Sequence, residues 1–211
     1  MKDSLLTSGR IDNQKILERI RALDPFHNRK YCRRDEMTVA RLFSDIFGGI
    51  ARYNTTAKSW FVYDGIKWKS DLGSMVVEDY AKRFATALLI YSADVSDNGY
   101  SQFVVKYGDR SKRMVMLDDA RSYRHLCNAD LDQHPELFNC QNCVINLDTL
   151  ETLEHDPDML LSKCANVIYD PSAESPEFVN FMNQVMYSDR EKIRYIQSVL
   201  GYALTGSNTQ E

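Results

Sequence analysis

Two cysteines three positions apart, Cys140 and Cys143, have the spacing in this chain most typical of a chemical site. Two thiolates at this spacing can chelate zinc or cycle through a disulfide. A structural zinc site needs four ligands, and beyond this pair the sequence offers only Cys127 and His134 across the preceding loop. A redox role needs a thiol pKa lowered by a helix N-terminus or a basic group, whereas this stretch is typical of a strand. We interpret both residues as structural thiols and expect no metal site.

A second candidate for chemistry is the acidic loop that holds Asp130, Asp132 and His134. Paired carboxylates of this kind bind magnesium in nucleotidyl transferases, but Asp is also a common turn and cap residue. The sequence carries no phosphate loop, no dinucleotide fingerprint, no nucleophile elbow and no His-Glu-x-x-His pattern. We therefore predict no catalytic residue and no cofactor in these residues, and the chain is not expected to be an enzyme.

Two short segments rich in basic residues are candidates for binding DNA. The segment "HNRKYCRR" surrounds a tyrosine, and a second run brackets the boundary between two predicted helices. Such cations can follow the phosphates of a single strand while an aromatic ring stacks on a base, although charge runs on helices also serve solubility alone. The candidate DNA-binding residues are Arg29, Lys30, Tyr31, Arg33, Arg34, Lys106, Arg110, Lys112 and Arg113.

Composition sets the limits within which these segments act. The chain has 211 residues, 44% of them hydrophobic, and a formal net charge of −4, so it is long enough for a sizeable core and has no overall basic surface for nucleic acid. No apolar run approaches the roughly 20 residues that span a bilayer, and the N-terminus lacks a secretory pattern. We expect a cytoplasmic protein with no membrane partner, whose five cysteines are reduced.

Helical periodicity dominates the elements that must position these residues. Asp12 is a candidate cap for a first helix that stops at Pro25, and Gly48-Gly49 follows a second helix. Ser188 to Glu191 has the pattern of a capping box for the last helix, which Gly206 would close. The predicted helices are "DNQKILERIRALDPF", "DEMTVARLFSDIF", residues 74–93, "NGYSQFVVKYG", "DRSKRMVMLDDARSYRHLCN", "PEFVNFMNQVMY" and "REKIRYIQSVLGYALTG".

Two regions predict strands instead. In "SWFVYDGIKWKS" the dipeptide Asp64-Gly65 favours a type I′ hairpin turn, and Trp60 and Trp68 lie symmetrically about it as a candidate cross-strand pair. These tryptophans favour a core role over a base-stacking platform. From Leu137 onward short β-prone runs alternate with turns, and "SKCANVIYD" adds a further strand-like run.

Together these patterns predict an α+β fold: a mostly helical body with a β-hairpin and a small antiparallel sheet, ending in a helical pair. We divide the chain into an N-terminal helix and basic segment over 1–34 and a larger domain over 35–211, within which 174–211 form the helical pair.

The C-terminal third contains an ordered set of motifs. They are a strand with Asn142, Val144, Ile145 and Leu147, the turns His155-Asp156-Pro157 and Tyr169-Asp170-Pro171, and a helix end with Leu200, Gly201, Tyr202, Leu204, Thr205 and Gly206. This set resembles the region that precedes the superfamily 3 helicase domain of phage and plasmid primase-helicases, a family related to the poxvirus primase-helicase. The hairpin "SWFVYDGIKWKSD" is similar to that family's tryptophan hairpin. Cys143, Asn146 and Leu150 depart from the family pattern, which affects turn geometry, and the resemblance covers about 35–211.

The resemblance implies a non-catalytic N-terminal fragment of a replicative DNA primase-helicase, acting as a collar for ring assembly and DNA guidance. Its implied partners are DNA, most simply a single strand, its own helicase domain and further copies of itself. ATP and magnesium are implied only for the helicase domain, which the sequence does not contain. The alternative is a protein interaction module that recruits replication partners without touching DNA.

Overall fold

The structure, a computed structural model, describes residues 5–7 and 9–205. The chain forms two compact units. The first unit comprises Met1–Leu131 and Asp156–Ser162, and the second comprises Asp132–His155 and Lys163–Glu211. None of the helices in the described ranges is long and apolar enough to cross a membrane.

Five helices build most of the first unit, at the positions that periodicity predicts. The side chain of Asp12 accepts a hydrogen bond from the Gln14 backbone N–H, which confirms the predicted cap, and Asp24, in the left-handed conformation, ends that helix just before Pro25. The last of the five ends at Ala120, shorter than predicted, because the chain then turns back towards a strand. The helices are α1 (Asn13–Leu23), α2 (Glu36–Phe47), α3 (Met75–Val95), α4 (Asn98–Val104) and α5 (Arg110–Ala120).

The predicted hairpin is confirmed, as two strands of a three-stranded antiparallel sheet. Its strands are β4 (Ser59–Tyr63) and β5 (Trp68–Ser70), and β3 (Ala51–Asn54), which we did not predict, pairs with β4. A short pair, β1 (Leu6–Thr7) and β2 (Arg10–Ile11), was also not predicted. Strands this short carry little periodic signal, which is why the sequence does not reveal them.

The predicted tryptophan pair is wrong. Tyr63 lies opposite Trp68, and Trp60 lies opposite none of the β5 residues but packs edge-on against Tyr53. Asp64 accepts hydrogen bonds from the backbone N–H groups of Ile66 and Lys67, so the loop is longer than a two-residue type I′ turn and shifts the register. Because direct partners share a face and side chains alternate, the two tryptophans lie on opposite faces. Both are buried, which confirms the core role, and neither offers a base-stacking platform.

Aromatic rings fill the core between α2 and α3. Phe43 stacks on Phe47 at 4.7 Å between ring centroids, and Phe84 meets Phe43 edge-on at 5.6 Å. Tyr80 stacks on Phe47 at 5.6 Å. After α5 the chain runs alongside β3 through a bridge between Asn54 and Leu126, and this bridge places the turn over 121–124 beside α2 and β3.

The second unit begins with the predicted small antiparallel sheet, which is confirmed as β6 (Leu137–Asn139), β7 (Val144–Asn146) and β8 (Thr152–Leu153). The predicted strand in "SKCANVIYD" is wrong. That segment is extended but irregular, because side chains as well as backbone hold it: Asn139 donates to the Lys163 carbonyl, and Asn142 both donates to and accepts from the Tyr169 backbone.

Two helices complete the second unit, α6 (Pro176–Val185) and α7 (Arg190–Leu204), and confirm the predicted helical pair. The predicted Ser188 capping box is wrong, since Asp189 is the cap and accepts from the backbone N–H groups of Glu191 and Lys192. The predicted stop at Gly206 lies outside the described residues. The α+β fold class is confirmed.

Candidate nucleic-acid interface

The first basic segment lies in the irregular connection between α1 and α2. Asn28 shapes it: its side chain accepts from the Lys30 backbone N–H and donates to the Leu23 carbonyl, while its own carbonyl accepts from the Tyr31 backbone N–H. These local bonds fix the backbone against the end of α1, so the basic side chains start from a defined position.

Tyr31 is not available to stack on a base. It is 5% exposed, and its hydroxyl donates to Asp45 at 2.7 Å. Burial raises the pKa of the Tyr31 hydroxyl, so it is a neutral donor. Lys30 reaches the same carboxylate at 2.7 Å, and this hydrogen bond raises the Lys30 pKa. The sequence suggested an exposed ring among cations, but the ring instead anchors the segment to α2.

The other cations of this segment remain at the surface. Arg33 pairs with Asp35 at 3.4 Å, and Arg34 pairs with Asp97 at 3.2 Å while lying over the Phe26 ring. Arg29 is exposed and forms no ion pair within the described residues.

The second basic cluster lies at the start of α5. Lys112 pairs with Glu36 at 2.8 Å, and Arg110 pairs with Glu78 at 3.5 Å. Arg113 donates to the carbonyls of Tyr107 and Gly108, so it closes the turn that precedes α5. Lys106 is exposed within that turn.

The structure brings the two clusters together at the N-terminus of α2. Glu36, in the first turn of α2, holds Lys112 of the second cluster, and the adjacent Asp35 holds Arg33 of the first. Hydrogen bonds hold the pKa values of both carboxyl groups below their ordinary range: the one with Lys112 for Glu36, and those with Thr38 for Asp35. Both stay ionised, so positive and negative charges alternate. Five of the eight cations have a carboxylate partner: Lys30, Arg33, Arg34, Arg110 and Lys112.

The sequence reasoning missed a third group of cations, Arg41, Arg121 and Arg124. Arg41 lies over the Tyr123 ring at 5.2 Å, and Arg121 lies over the Tyr53 ring at 4.9 Å. The sequence does not reveal this group because Arg41 and the turn after α5 are far apart in the chain and meet only in the folded structure. The run "RSYRH" alternates cations with an aromatic, as the first basic segment does, and was the available signal.

Asp130 of the acidic loop and Cys140 of the cysteine pair have structural explanations. Asp130 accepts from the Cys127 backbone N–H at 2.6 Å, which lowers its pKa and closes a turn. Burial raises the pKa of the Cys140 thiol, so it is a poor nucleophile. Over residues 5–7 and 9–205 no three His, Cys, Asp or Glu side chains are grouped so as to hold a metal ion.

In the second unit, α6 and α7 present apolar side chains to solvent around a cleft of about 80 Å³. Of the residues in these two helices only Met182 is buried. A face of this kind is typical of a surface for another protein. The cleft is lined by Phe178, Val179, Met182, Asn183, Ile193, Gln197 and Leu200.

Comparison with known proteins assigns the chain to a family. Residues 40–186 match the family described as D5 N terminal like, and no curated protein matches the chain. This family is the N-terminal domain of D5-like primase-helicases of phages, plasmids and poxviruses, and it is not their catalytic helicase domain. The match covers more than half of the sequence and includes both the hairpin and the small sheet on which the resemblance was based. The chain belongs to the D5 N-terminal-like family.

Proposed function

We propose that this chain is the non-catalytic N-terminal region of a phage- or plasmid-type replicative primase-helicase, in which it forms a collar that helps to assemble the ring and guides single-stranded DNA. The observation that carries the proposal is the meeting of two basic segments at the N-terminus of α2. In this proposal a superfamily 3 helicase domain outside these residues uses ATP and magnesium, and the protein works in the cytoplasm as a homo-oligomer.

The charge arrangement predicts weak and sequence-independent contact with the strand. Cations that already pair with carboxylates gain less from meeting a phosphate, because the ion pair must first be broken. Arg29 and Lys106 are exposed and have no carboxylate partner in the described part of the chain, so they are the first candidates for phosphate contact. Weak contact suits guidance, since a strand that must slide cannot be held tightly at each step.

The test is fluorescence anisotropy of a labelled single-stranded oligonucleotide at several salt concentrations. We expect binding at low salt with a negative log-log slope. The double variant Arg29→Glu/Lys106→Glu should make this slope shallower by about 0.7 for each phosphate that the protein no longer neutralises. The matched control is Lys163→Glu/Arg190→Glu, which reverses two exposed charges in the second unit. Absence of binding at low salt, or equal effects of both variants, would overturn the DNA role.

The exposed face of α6 and α7 supports a second candidate, a protein interaction module. Val179 and Tyr195 are 56% and 68% exposed, although both belong to amphipathic helices. Such a face fits a different surface of another copy, as the head-to-tail contacts of a ring require, or a recruited replication partner. Recruitment without DNA contact is the function that remains if the anisotropy experiment shows no binding.

Light scattering after size-exclusion chromatography tests self-association. If the face binds another copy, the mass should rise with protein concentration, and Val179→Asp should abolish the rise. Leu72→Asp is the control, because Leu72 is 83% exposed in the first unit. A mass that stays monomeric at every concentration would remove self-association and leave recruitment of a different protein.

A further inference from the structure

The turn over 121–124 lies along one side of α2. The Tyr123 hydroxyl donates to the Met37 carbonyl at 3.1 Å, and the Arg41 guanidinium covers the same tyrosine ring. Positions 37 and 41 are one helical turn apart on the same face of α2. Tyr123 therefore contacts two successive turns of α2, through its hydroxyl at Met37 and through its ring at Arg41. The ring contact thereby orients Arg41 while its N–H groups make no hydrogen bond to residues 5–7 or 9–205.

Arg124 packs further along the same side of α2. A Cβ atom at Gly48 would lie 2.4 Å from Cδ of Arg124 and 2.5 Å from the Ser44 carbonyl oxygen, so the arginine stem packs directly on the glycine and a larger residue would displace it. The Arg124 head approaches Asp45 at 3.9 Å, but that carboxylate already accepts from Tyr31 and pairs with Lys30 at 2.7 Å. Arg124 therefore has a distant and shared counter-charge.

Arg121 completes the group. Its guanidinium lies over the Tyr53 ring and pairs with Asp118 at 2.7 Å across one helical turn. The pair is exposed on both sides and is weak for that reason. We name Arg41, Arg121 and Arg124 the arginine ledge.

The three arginines of the ledge differ from one another in how far a carboxylate compensates their charge. Arg41 has no carboxylate partner in the described chain, Arg124 shares one, and only Arg121 has its own. Arg52 lies near Arg124; its side chain is mostly buried, and it pairs with Asp158 at 3.3 Å. Burial lowers the pKa of Arg52, attraction to Asp158 opposes that shift, and repulsion from Arg124 adds to it. Arg41 is therefore the ledge arginine with no counter-charge in the described chain, and the nearest counter-charge of Arg124 is 3.9 Å away.

We infer that the arginine ledge binds the phosphodiester backbone of the guided strand. A guanidinium can contact a phosphate through two parallel N–H groups, and stacking on tyrosine removes rotamer freedom before the ligand arrives. Two of the three arginines are stacked in this way. This inference rests on the proposed DNA guidance and places a third contact surface on the strand's path.

The test maps arginine reactivity in the unaltered chain. The protein is treated with an arginine-selective dicarbonyl reagent with and without a single-stranded oligonucleotide, and labelled positions are read by mass spectrometry. We expect DNA to protect Arg41, Arg121 and Arg124, while Arg83 and Arg190, outside the clusters, stay equally reactive. Inorganic phosphate at the same total phosphate concentration is the comparison, and equal protection by it would overturn assignment to a strand.

A variant set quantifies the contact. The triple change Arg41→Gln/Arg121→Gln/Arg124→Gln should make the log-log salt slope shallower by about 2 if three phosphates are contacted. The triple Lys variant, which keeps charge but removes stacking and the planar fork, should keep the slope and weaken binding. The matched control is Arg21→Gln/Arg83→Gln/Arg190→Gln.

The outcomes separate the two proposals. DNA binding that protects Arg29 and Arg33 but leaves the ledge reactive overturns the ledge alone. Protection of the ledge with Arg29 and Arg33 unprotected supports the ledge and removes the α2 N-terminus from the DNA path. A chain that binds no oligonucleotide at low salt overturns the guidance role, and the ledge as a DNA site falls with it.

Discussion

The two units contain similar amphipathic helices, but the apolar face is buried in the first unit and exposed in the second. In the first unit, α2 buries Phe43 and Phe47 against Phe84 of α3, and all three rings are at most 1% exposed. In the second unit, α6 has the same alternation of apolar and polar residues, yet Phe181 is 56% exposed. Amphipathic periodicity therefore predicts that a helix has an apolar face. Whether other parts of the same chain bury that face depends on the surrounding fold.

This difference suggests a division of labour. The first unit has a continuous hydrophobic core and carries the basic segments on which the proposed DNA contact rests. The second unit leaves its helical face uncovered, which suits contact with protein. Both tryptophans, Trp60 and Trp68, belong to the first unit, so tryptophan fluorescence follows its unfolding separately, and far-ultraviolet circular dichroism follows the helices of both.

The largest expected effect comes from removing a ring at matched positions of the two units. Phe84→Ala should lower the free energy of unfolding by about 3–5 kcal/mol because it leaves a cavity among α2 and α3. Phe181→Ala should change it by no more than about 0.5 kcal/mol, because that ring is already in solvent. Urea unfolding followed by tryptophan fluorescence and circular dichroism measures both, and comparable losses would contradict the difference in burial.

A buried polar side chain in the first unit gives the next largest effect. Asn54 is fully buried, donates to Asn128 at 2.8 Å and accepts from the backbone N–H groups of Thr56 and Ala57. Asn54→Ala leaves these donors unpaired and should cost about 1–3 kcal/mol, measured by urea unfolding. The control is Asn166→Ala in the second unit, where an exposed amide accepts from Gln141 and water can replace it. Equal costs would indicate that Asn54 is hydrated.

Capping gives a smaller effect and concerns the second unit. Asp189→Ala removes two hydrogen bonds at the start of α7 and should cost that helix about 1 kcal/mol. Thermal melts by circular dichroism should show loss of helix, while tryptophan fluorescence at the same temperatures stays unchanged. Ser188→Ala is the control, since Asp189 and not Ser188 caps α7. A larger loss for Ser188→Ala would restore the capping box that the sequence predicted.

The smallest effect is a pH dependence confined to the first unit. The hydrogen bond from the Tyr91 hydroxyl, with a smaller contribution from His27, holds the pKa of Asp24 below its ordinary value. Because the folded pKa lies below the unfolded one, this interaction stabilises the fold above about pH 4 and is lost as pH falls through the folded pKa.

The stability difference between the unaltered chain and Asp24→Asn should therefore shrink as the pH falls from neutral to about 3. Asparagine is tolerated at the left-handed backbone position of Asp24, so the variant keeps the end of α1. Melting temperatures across this range, read by tryptophan fluorescence, measure the difference. A difference that stays constant with pH would assign the effect to altered geometry rather than to charge.

The sequence predicted most elements because each of them carries a local signal. Periodicity, the Asp12 cap and the glycines after α2 act within one or two helical turns, so they can be read without knowing the fold. The residues Asp64-Gly65 correctly predicted a hairpin. Its register, however, depends on the hydrogen bonds that the Asp64 carboxylate accepts from the backbone of Ile66 and Lys67, and these lengthen the loop. The predicted tryptophan pair was wrong for that reason.

The candidate site was predictable only in part. The basic segments were visible as runs, but their meeting at the N-terminus of α2 depends on how α5 packs on α2, which joins residues far apart in sequence. Tyr31 is anchored by Asp45, which lies 14 residues further along the chain in α2. The arginine ledge depends on β3, a strand that the sequence did not reveal.

By itself, the sequence determined the helices, the Asp12 cap, the fold class and the motif order that led to the family, because these depend on local backbone preferences and on residues close in the chain. The tertiary structure alone decided which apolar faces are covered, which cations keep an uncompensated charge and which aromatic rings reach solvent. Burial and ion pairing depend on distances between distant segments, and those distances exist only once the chain has folded.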